Sequence, residues 1–339
     1  MGTNSLDAGT RFRELLARPN GVYAHGIFDA LSATVAQMAD IEVVYVGGYA
    51  EAARNRLPDM GLRSPSQILE HARTISKAID IPIIVDIDDG YGGVLNVIQW
   101  AEEFLSLTNV AGIHLEDQRY PKRCGHIAGK TTVPIGDFIG KLKATIDVRN
   151  KVAPTKVIIA RTDAFSAAGG KKNRHVGGDI SESIKRALAY IDAGADLVWC
   201  EFPSPDLISA KAFARGVRKK HPNFPLAFNI SPSFKPGTWE SSPLTEQLMN
   251  GLGYKFRFTT YLALLAAMHA VYTTAKKATE DGTNALRAVR ELVAGTPVEI
   301  VNNLVDVDRY HKLEEQYDPK ARERIATSEG FKAGERFTY

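Results

Sequence analysis

The alternation of short apolar runs with helical segments constrains this chain most. Eight runs rich in Val, Ile, Leu and Phe fall at residues 22–25, 43–46, 81–87, 110–115, 156–161, 197–201, 226–230 and 255–259. Each has the length of a strand. Between them apolar residues recur at helical spacing, at 30–39, 64–78, 94–105, 135–150, 182–193 and 207–221. Near-continuous apolar strands separated by helices predict a parallel sheet covered by helices. Eight such units are what a closed (β/α)8 barrel needs, and 339 residues leave room for extra helices. An open doubly wound sheet is the alternative. It asks for a glycine fingerprint after the first strand, and His25-Gly26-Ile27-Phe28-Asp29-Ala30 is not one. The expected organisation is a helical segment over 1–20, a barrel over 21–275 and a helical extension over 276–339. Further helices are expected at 5–17, 260–278 and 286–293, with a charged arm beyond Asp308.

Composition excludes several other classes. Hydrophobic residues make up 44% and charged ones 24%, ordinary usage for a chain with a sizeable core. The net charge of +3 is scattered, and the basic runs at 171–175 and 218–221 carry no nucleic-acid motif. They read as solvated surface, so no nucleic-acid partner is expected. Two cysteines fit a reducing compartment rather than a disulfide scaffold. The first residues lack the apolar core of a signal peptide, and no run is long enough to span a bilayer. A cytoplasmic protein with no membrane partner is the expectation.

Barrel enzymes place their chemistry at the carboxyl ends of the strands, and those ends are polar here. Asp86, Asp88 and Glu116 are predicted to converge at the barrel mouth, joined by Asp59 from the loop after the second strand. Oxygen-only ligands with room for water suit Mg2+, with Mn2+ as a substitute. Asp163 or Asp29 reads as a helix N-cap, and Asp89 receives no role. Gly47 and Gly48 offer bare N–H groups to an anion, or make a tight turn. Arg161 is a fixed cation suited to bidentate carboxylate binding. Asn229, Ser231 and Ser233, at spacing two, can donate to one carboxylate or satisfy one another. Cys124, taken alone, is an ordinary free cysteine. Flanked by Lys122, Arg123 and His126, with Gly125 as a turn, it sits in a setting that stabilises a thiolate.

Glu116-Asp117-Gln118 followed by Lys122-Arg123-Cys124-Gly125-His126 resembles the isocitrate lyase / phosphoenolpyruvate mutase superfamily, and specifically its isocitrate and 2-methylisocitrate lyase branch. The resemblance covers roughly residues 20–275 and implies a TIM-type barrel whose C-terminal helix swaps between subunits of a dimer or tetramer. The stretch DIDDGYGG is similar to the family's metal-binding strand end. Asp86 thereby matches the direct Mg2+ ligand, and Asp88, Asp59 and Glu116 match carboxylates acting largely through water. Gly47, Gly48 and Tyr49 occupy the position that binds the oxo acid, with Gly47 replacing the family's serine and Tyr45 preceding them. Arg161 matches the family's active-site arginine. NISPSF and GYKFRFTT resemble isocitrate lyase segments, which places Asn229, Ser231, Ser233 and Thr260 around a substrate carboxylate. Trp199-Cys200-Glu201 resembles a further site segment; Cys200 itself reads as core. The implied activity is Mg2+-dependent retro-Claisen cleavage of a 2-hydroxy di- or tricarboxylate, with Cys124 protonating the carbanion. Tyr45 and a water network at Glu116 remain open as the base. Residues 119–129 are expected to close over ligand.

Overall fold

The computed structural model describes residues 6–171 and 178–330. Of the basic run at 171–175, residues 172–175 lie outside the described residues. Eight parallel strands close into a barrel in sequence order: β1 (Val22–Ile27), β2 (Val44–Val46), β3 (Ile83–Asp86), β4 (Val110–Glu116), β5 (Val157–Thr162), β6 (Leu197–Cys200), β7 (Leu226–Ile230) and β8 (Tyr254–Thr259). β8 pairs with β1, with Tyr23 opposite Arg257. Helices such as Pro65–Ala78, Val94–Leu105 and Ile180–Asp192 follow the strands, as the spacing predicts. Two short helices, Gly48–Ala53 and Glu246–Leu252, escape a reading of periodicity because neither is long enough to show one.

Side chains alternate between the barrel interior and the helical layer. The interior holds Ala24, Tyr45, Ile84, Ala111, Val157, Ile159, Leu197, Trp199, Ala227, Phe256 and Phe258, all buried. Phe12, on the amino-terminal helix Ala8–Ala17, closes the bottom of this stack edge-on against Phe256, with ring centroids 5.2 Å apart. That helix lies so near the chain at Thr155 that a Cβ on Gly9 would come within 2.6 Å of a backbone carbon. A larger residue at position 9 would lift the plug. The outer layer, from Ile68 and Ile75 to Phe213 and Met249, packs the helices against the outward strand faces.

The polar residues that open the connections have separate tasks. Asp29 caps helix Ala30–Met38 through its carboxylate to the Ser32 N–H, at 2.7 Å. Asp163 does not cap; its carboxylate is taken by Arg161 and Lys130. The chain divides into two compact units, Met1–Met268 and His269–Tyr339, and the division falls inside helix Leu262–Asp281. Only Leu264 of that helix is buried, while Leu265, Met268, Val271 and Tyr272 are exposed. The second unit comprises the rest of that helix and the shorter helices Ala285–Val293, Val301–Leu304, Val307–Tyr317 and Ala321–Thr327, the last held by Arg324 to Glu314 and Asp318.

Candidate active site

The carboxyl ends of β2 to β8 and the loop carrying Cys124 enclose one cavity of about 30 Å3. It brings together Tyr45, Gly47, Gly48, Tyr49, Asp59, Asp86, Glu116, Lys122, Arg123, Cys124, Gly125, His126, Arg161, Glu201, Asn229, Ser231, Ser233 and Thr260. Asp88 lies immediately beside them, paired with Lys122. Residues separated by more than two hundred positions therefore share one small room.

The acidic side is built on β3. Asp86 Oδ1 accepts the N–H of Asp88 at 2.9 Å, and Oδ2 accepts the N–H of Gly48 at 3.0 Å. The Gly48 N–H expected to await an anion is thus already holding a carboxylate. Asp88 and Tyr91 both adopt left-handed backbone, φ 51° and 60°, which folds the loop tightly around the strand end. Burial, with Asp86 and Asp59 adding like charge against the pull of Lys122, lifts Asp88 to a pKa of about 7. Lys122 reaches in from the cysteine loop and pairs with Asp59 at 2.5 Å and with Asp88. A Cβ on Gly48 would lie 2.9 Å from that ammonium, so glycine here leaves room for the lysine. At position 47 a Cβ would come within 2.5 Å of Tyr45 Cε1, so a serine there would displace that ring.

The basic side is built on β5. Arg161 donates from Nε and Nη2 to the two oxygens of Asp163, at 2.9 and 3.0 Å. Its Nε also lies 3.1 Å from Glu116 Oε2, and its guanidinium rests 4.4 Å from the Trp199 ring centroid. Glu116 Oε1 has no partner although it is buried, and burial raises that carboxyl well above its usual range. Glu201, at the end of β6, accepts from Asn229 Nδ2 at 3.2 Å and lies 3.3 Å from His126 Nδ1, while its Oε2 accepts no hydrogen bond and stands 3.8 Å from Arg161 Nη1. Ser231, Ser233 and Thr260 bond partly among themselves: Ser233 N–H donates to Ser231 Oγ, and Thr260 Oγ1 lies 3.4 Å from it.

The cysteine loop departs from its sequence reading in one respect. Lys122 turns toward the acids and Arg123 toward the Ala128 carbonyl, so neither stabilises a thiolate. Burial and the Asp59 charge instead push the Cys124 thiol up to about 12. His126 Nδ1 is 4.0 Å from Sγ, and its own burial lowers its pKa, keeping the ring neutral. The thiol is a held proton.

Tyr261 and His114 carry no motif signal, and Trp199 is singled out only by resemblance. Tyr261 lines the cavity, stacks on Tyr49 with centroids 4.3 Å apart, and shares a 3.0 Å hydrogen bond with Ser233. Trp199 lines it too. His114, wholly buried beneath, meets the Tyr45 hydroxyl at 2.8 Å through Nε2. Only its place two residues before Glu116, facing the interior of β4, could have signalled it.

Among the described residues no three acidic, histidine or cysteine side chains lie close enough to enclose an ion by themselves. The donors present are hard carboxylate oxygens, with Glu116 Oε1 unpartnered and Asp88 crowded by like charge. Such a set fits a divalent ion that keeps several waters, the habit of Mg2+.

The family model described as phosphoenolpyruvate phosphomutase matches residues 12–278. The chain is 37% identical to an isocitrate lyase of Haloferax volcanii over 94% of its own length and 89% of that protein. It is 36% identical to a 2-methylisocitrate lyase of Bacillus subtilis over 65% of its length and 66% of that protein. Among solved structures, a phosphonopyruvate hydrolase complex with oxalate and Mg++ is similar at 26% identity and a TM-score of 0.74, covering 92% of this chain and 99% of that one.

Proposed function

The chain is an enzyme of the phosphoenolpyruvate mutase / isocitrate lyase superfamily, and we propose that it is a Mg2+-dependent carbon–carbon lyase. Its substrate is a 2-hydroxy di- or tricarboxylate: isocitrate, 2-methylisocitrate or a 2-substituted malate. The observation that carries this reading is the protonated Cys124 thiol held in the same cavity as Arg161 and the acid cluster.

Asp86 would hold the ion directly, with Asp59, Asp88 and Glu116 ordering its waters. Bound there, the ion lowers the pKa of the substrate hydroxyl. Arg161, with the backbone at Gly47 and Tyr49 where helix Gly48–Ala53 begins, binds the carboxylate beside that hydroxyl. The hydroxyl proton passes to a base drawn from Tyr45, backed by His114, or the unpartnered Glu116 oxygen. As the C–O bond becomes C=O, the adjacent C–C bond breaks and its electron pair stays on the departing dicarboxylate. Asn229, Ser231, Ser233 and Thr260 donate to that fragment's carboxylate, where the negative charge spreads. Cys124 then gives its proton to the carbon, leaving an oxo acid and a dicarboxylate.

The same superfamily includes enzymes without this cysteine step, and the similarity to a phosphonopyruvate hydrolase extends over 92% of the chain. A turnover panel of isocitrate, 2-methylisocitrate, 2,3-dimethylmalate, citramalate and oxaloacetate with Mg2+, run beside phosphonopyruvate, separates the readings. Cleavage of one of the first four supports the lyase; turnover of oxaloacetate or phosphonopyruvate alone moves the assignment to the hydrolases and mutases. A barrel that only binds organic anions would turn over none. The exposed Leu265, Met268, Val271 and Tyr272 support a homo-oligomer, dimer or tetramer, in which that helix is covered by a second copy. Cys124 and Cys200 are both free, which supports a cytoplasmic location. No helix of the described residues is long and apolar enough to cross a membrane.

A further inference from the structure

The loop bearing Cys124 is fastened at its stem and at its tip by different means. At the stem its two ends run side by side. Arg119 N–H donates to Thr131 O at 2.8 Å, Gln118 bridges Thr132, and Val133 N–H donates to Asp117 O at 2.9 Å. Toward the tip, Gln118 and Arg123 exchange a reciprocal pair of bonds, and Cys124 N–H donates to Asp59 O. The stretch after the cysteine has fewer holds. Its backbone is glycine on either side of a short turn, with Gly129 at φ 91°. Gly125 is pressed so closely on Glu201 that a Cβ would come within 2.3 Å of that side chain.

Besides Glu201, which meets His126 Nδ1 at 3.3 Å, a second side chain reaches this stretch from below. Lys130 is 4% exposed, and its Nζ donates to the Gly125 carbonyl at 2.7 Å and to Asp163 Oδ1 at 2.8 Å. Asp163 in turn holds Arg161 through both oxygens, and its own N–H is fixed to Asp117. We propose that Lys130 is a positioning residue, a latch that ties the peptide following Cys124 to the carboxylate that orients Arg161. Closing the loop thereby sets the proton donor and the substrate-binding arginine in one act. The contact chain is short: Gly125 carbonyl, Lys130 ammonium, Asp163 carboxylate, Arg161 guanidinium. When the loop lifts, Lys130 keeps Asp163 and loses Gly125, so a buried ammonium loses one of its two hydrogen-bond acceptors. That loss favours reclosure. The catalytic meaning of the latch rests on the lyase reading, whereas its mechanical role does not.

The test uses Cys124 as a reporter in the full chain. Iodoacetamide modification of Cys124 is followed by peptide mass spectrometry in wild type, Lys130→Met and Lys130→Gln, alongside thermal midpoints and turnover. Methionine and glutamine are both one atom shorter than lysine, so the two differ in hydrogen bonding rather than in reach: methionine removes the donor, and glutamine retains an N–H to turn toward the Gly125 carbonyl. Modification through transient opening scales with the open population. Breaking a charged hydrogen bond therefore predicts about a tenfold or greater acceleration in Lys130→Met, with glutamine close to wild type. In turnover, Lys130→Met should lower kcat by a similar factor, and Lys130→Gln should restore most of it. If methionine there prevents folding, Lys130→Asn, too short to reach Gly125, replaces it and should react about tenfold faster than Lys130→Gln. Wild-type reactivity in the methionine variant overturns the latch. Equal acceleration in methionine and glutamine variants also overturns it, because only neutralisation of Asp163 would then matter. A latch confirmed by alkylation with no turnover across the substrate panel leaves the latch standing and removes the lyase assignment.

Discussion

Glu116 and Asp117 are neighbours at the end of β4, both buried, and the fold treats them in opposite ways. Asp117 points outward and is saturated. It accepts from Thr162 Oγ1, the Asp163 N–H, Arg186 Nη1 and Tyr190 OH, at 2.7 to 3.0 Å. Glu116 points into the cavity, with a single cation against one oxygen and nothing on the other. A saturated buried carboxylate contributes a rigid joint between β4, β5 and helix Ile180–Asp192. A half-satisfied one costs stability and is kept for what it will meet. The alternation of side-chain direction along one strand has separated scaffold from chemistry by a single residue.

The largest effect that tests this contrast is removal of divalent metal. Exhaustive chelation should abolish turnover and leave the thermal midpoint of the barrel nearly unchanged; full activity in chelated protein would remove the ion from the reading. Next, Cys124→Ser should lower kcat by roughly 10²–10⁴-fold, the usual worth of a positioned acid. Substrate binding, followed by calorimetry, should persist. Glu116→Gln should cost at least about a hundredfold in turnover, since it touches the same machinery. Its denaturant midpoint should hold or rise, because a half-satisfied buried carboxyl that burial already pushes toward its neutral form is replaced by a neutral amide. Asp117→Asn should do the reverse. It removes one of the two acids that hold Arg186, which keeps Glu182 and the Val133 carbonyl, and weakens a saturated joint, so stability should fall by about 2 kcal/mol, with turnover declining only as far as β5 shifts. Equal stability losses in the two variants would erase the distinction between the neighbours.

The smallest effect concerns a second saturated acid, on the short helix Gly48–Ala53 that follows β2. Glu51 is buried and paired with Arg54, Arg63 and His71. Burial opposes its charge, but the His71 and Arg54 contacts outweigh it and hold the carboxyl below its usual value. A depressed acid contributes stability above its unfolded pKa, near 4.5, and loses it as the pH falls through the folded value. Wild type should therefore lose stability in acid below about pH 4.5. Glu51→Gln should lower stability at neutral pH by about 1 kcal/mol and flatten that acid limb. An unchanged pH profile in the variant would show that other carboxylates carry it.

How far the sequence discloses all this depends on the range of the interaction. All eight strands lie within a few residues of where apolar runs predict them, because burial on both faces leaves a local record. The polar strand ends mark the mouth for the same reason, and the cavity gathers the residues named from them. The destinations of individual charges are less legible. Lys122 stands two residues from Cys124 yet serves Asp59, 63 positions away, and the Gly48 N–H serves Asp86 at a separation of 38. Nothing in the local pattern distinguishes a lysine that faces a thiol from one that faces a carboxylate across the barrel. Asp163 reads as a cap by position and proves to be a clamp, since its partners arrive from residue 130 and from its own strand. Tyr261 and Lys130 escape notice altogether, being ordinary residues made important by what folds over them.

The small room around Cys124 has a kinetic consequence. At about 30 Å3 that room lies far below the roughly 300–1,000 Å3 of an ordinary ligand pocket. On the lyase reading the loop must shift to seat a di- or tricarboxylate, and each cycle then passes through a more open conformer. The protein works like an airlock, and its apparent affinity is the intrinsic one diluted by the fraction of time the door stands open. At high reactant concentration the observed rate of capture should level off at the rate of door opening. That plateau belongs to the protein, and it should be the same for every compound that fits.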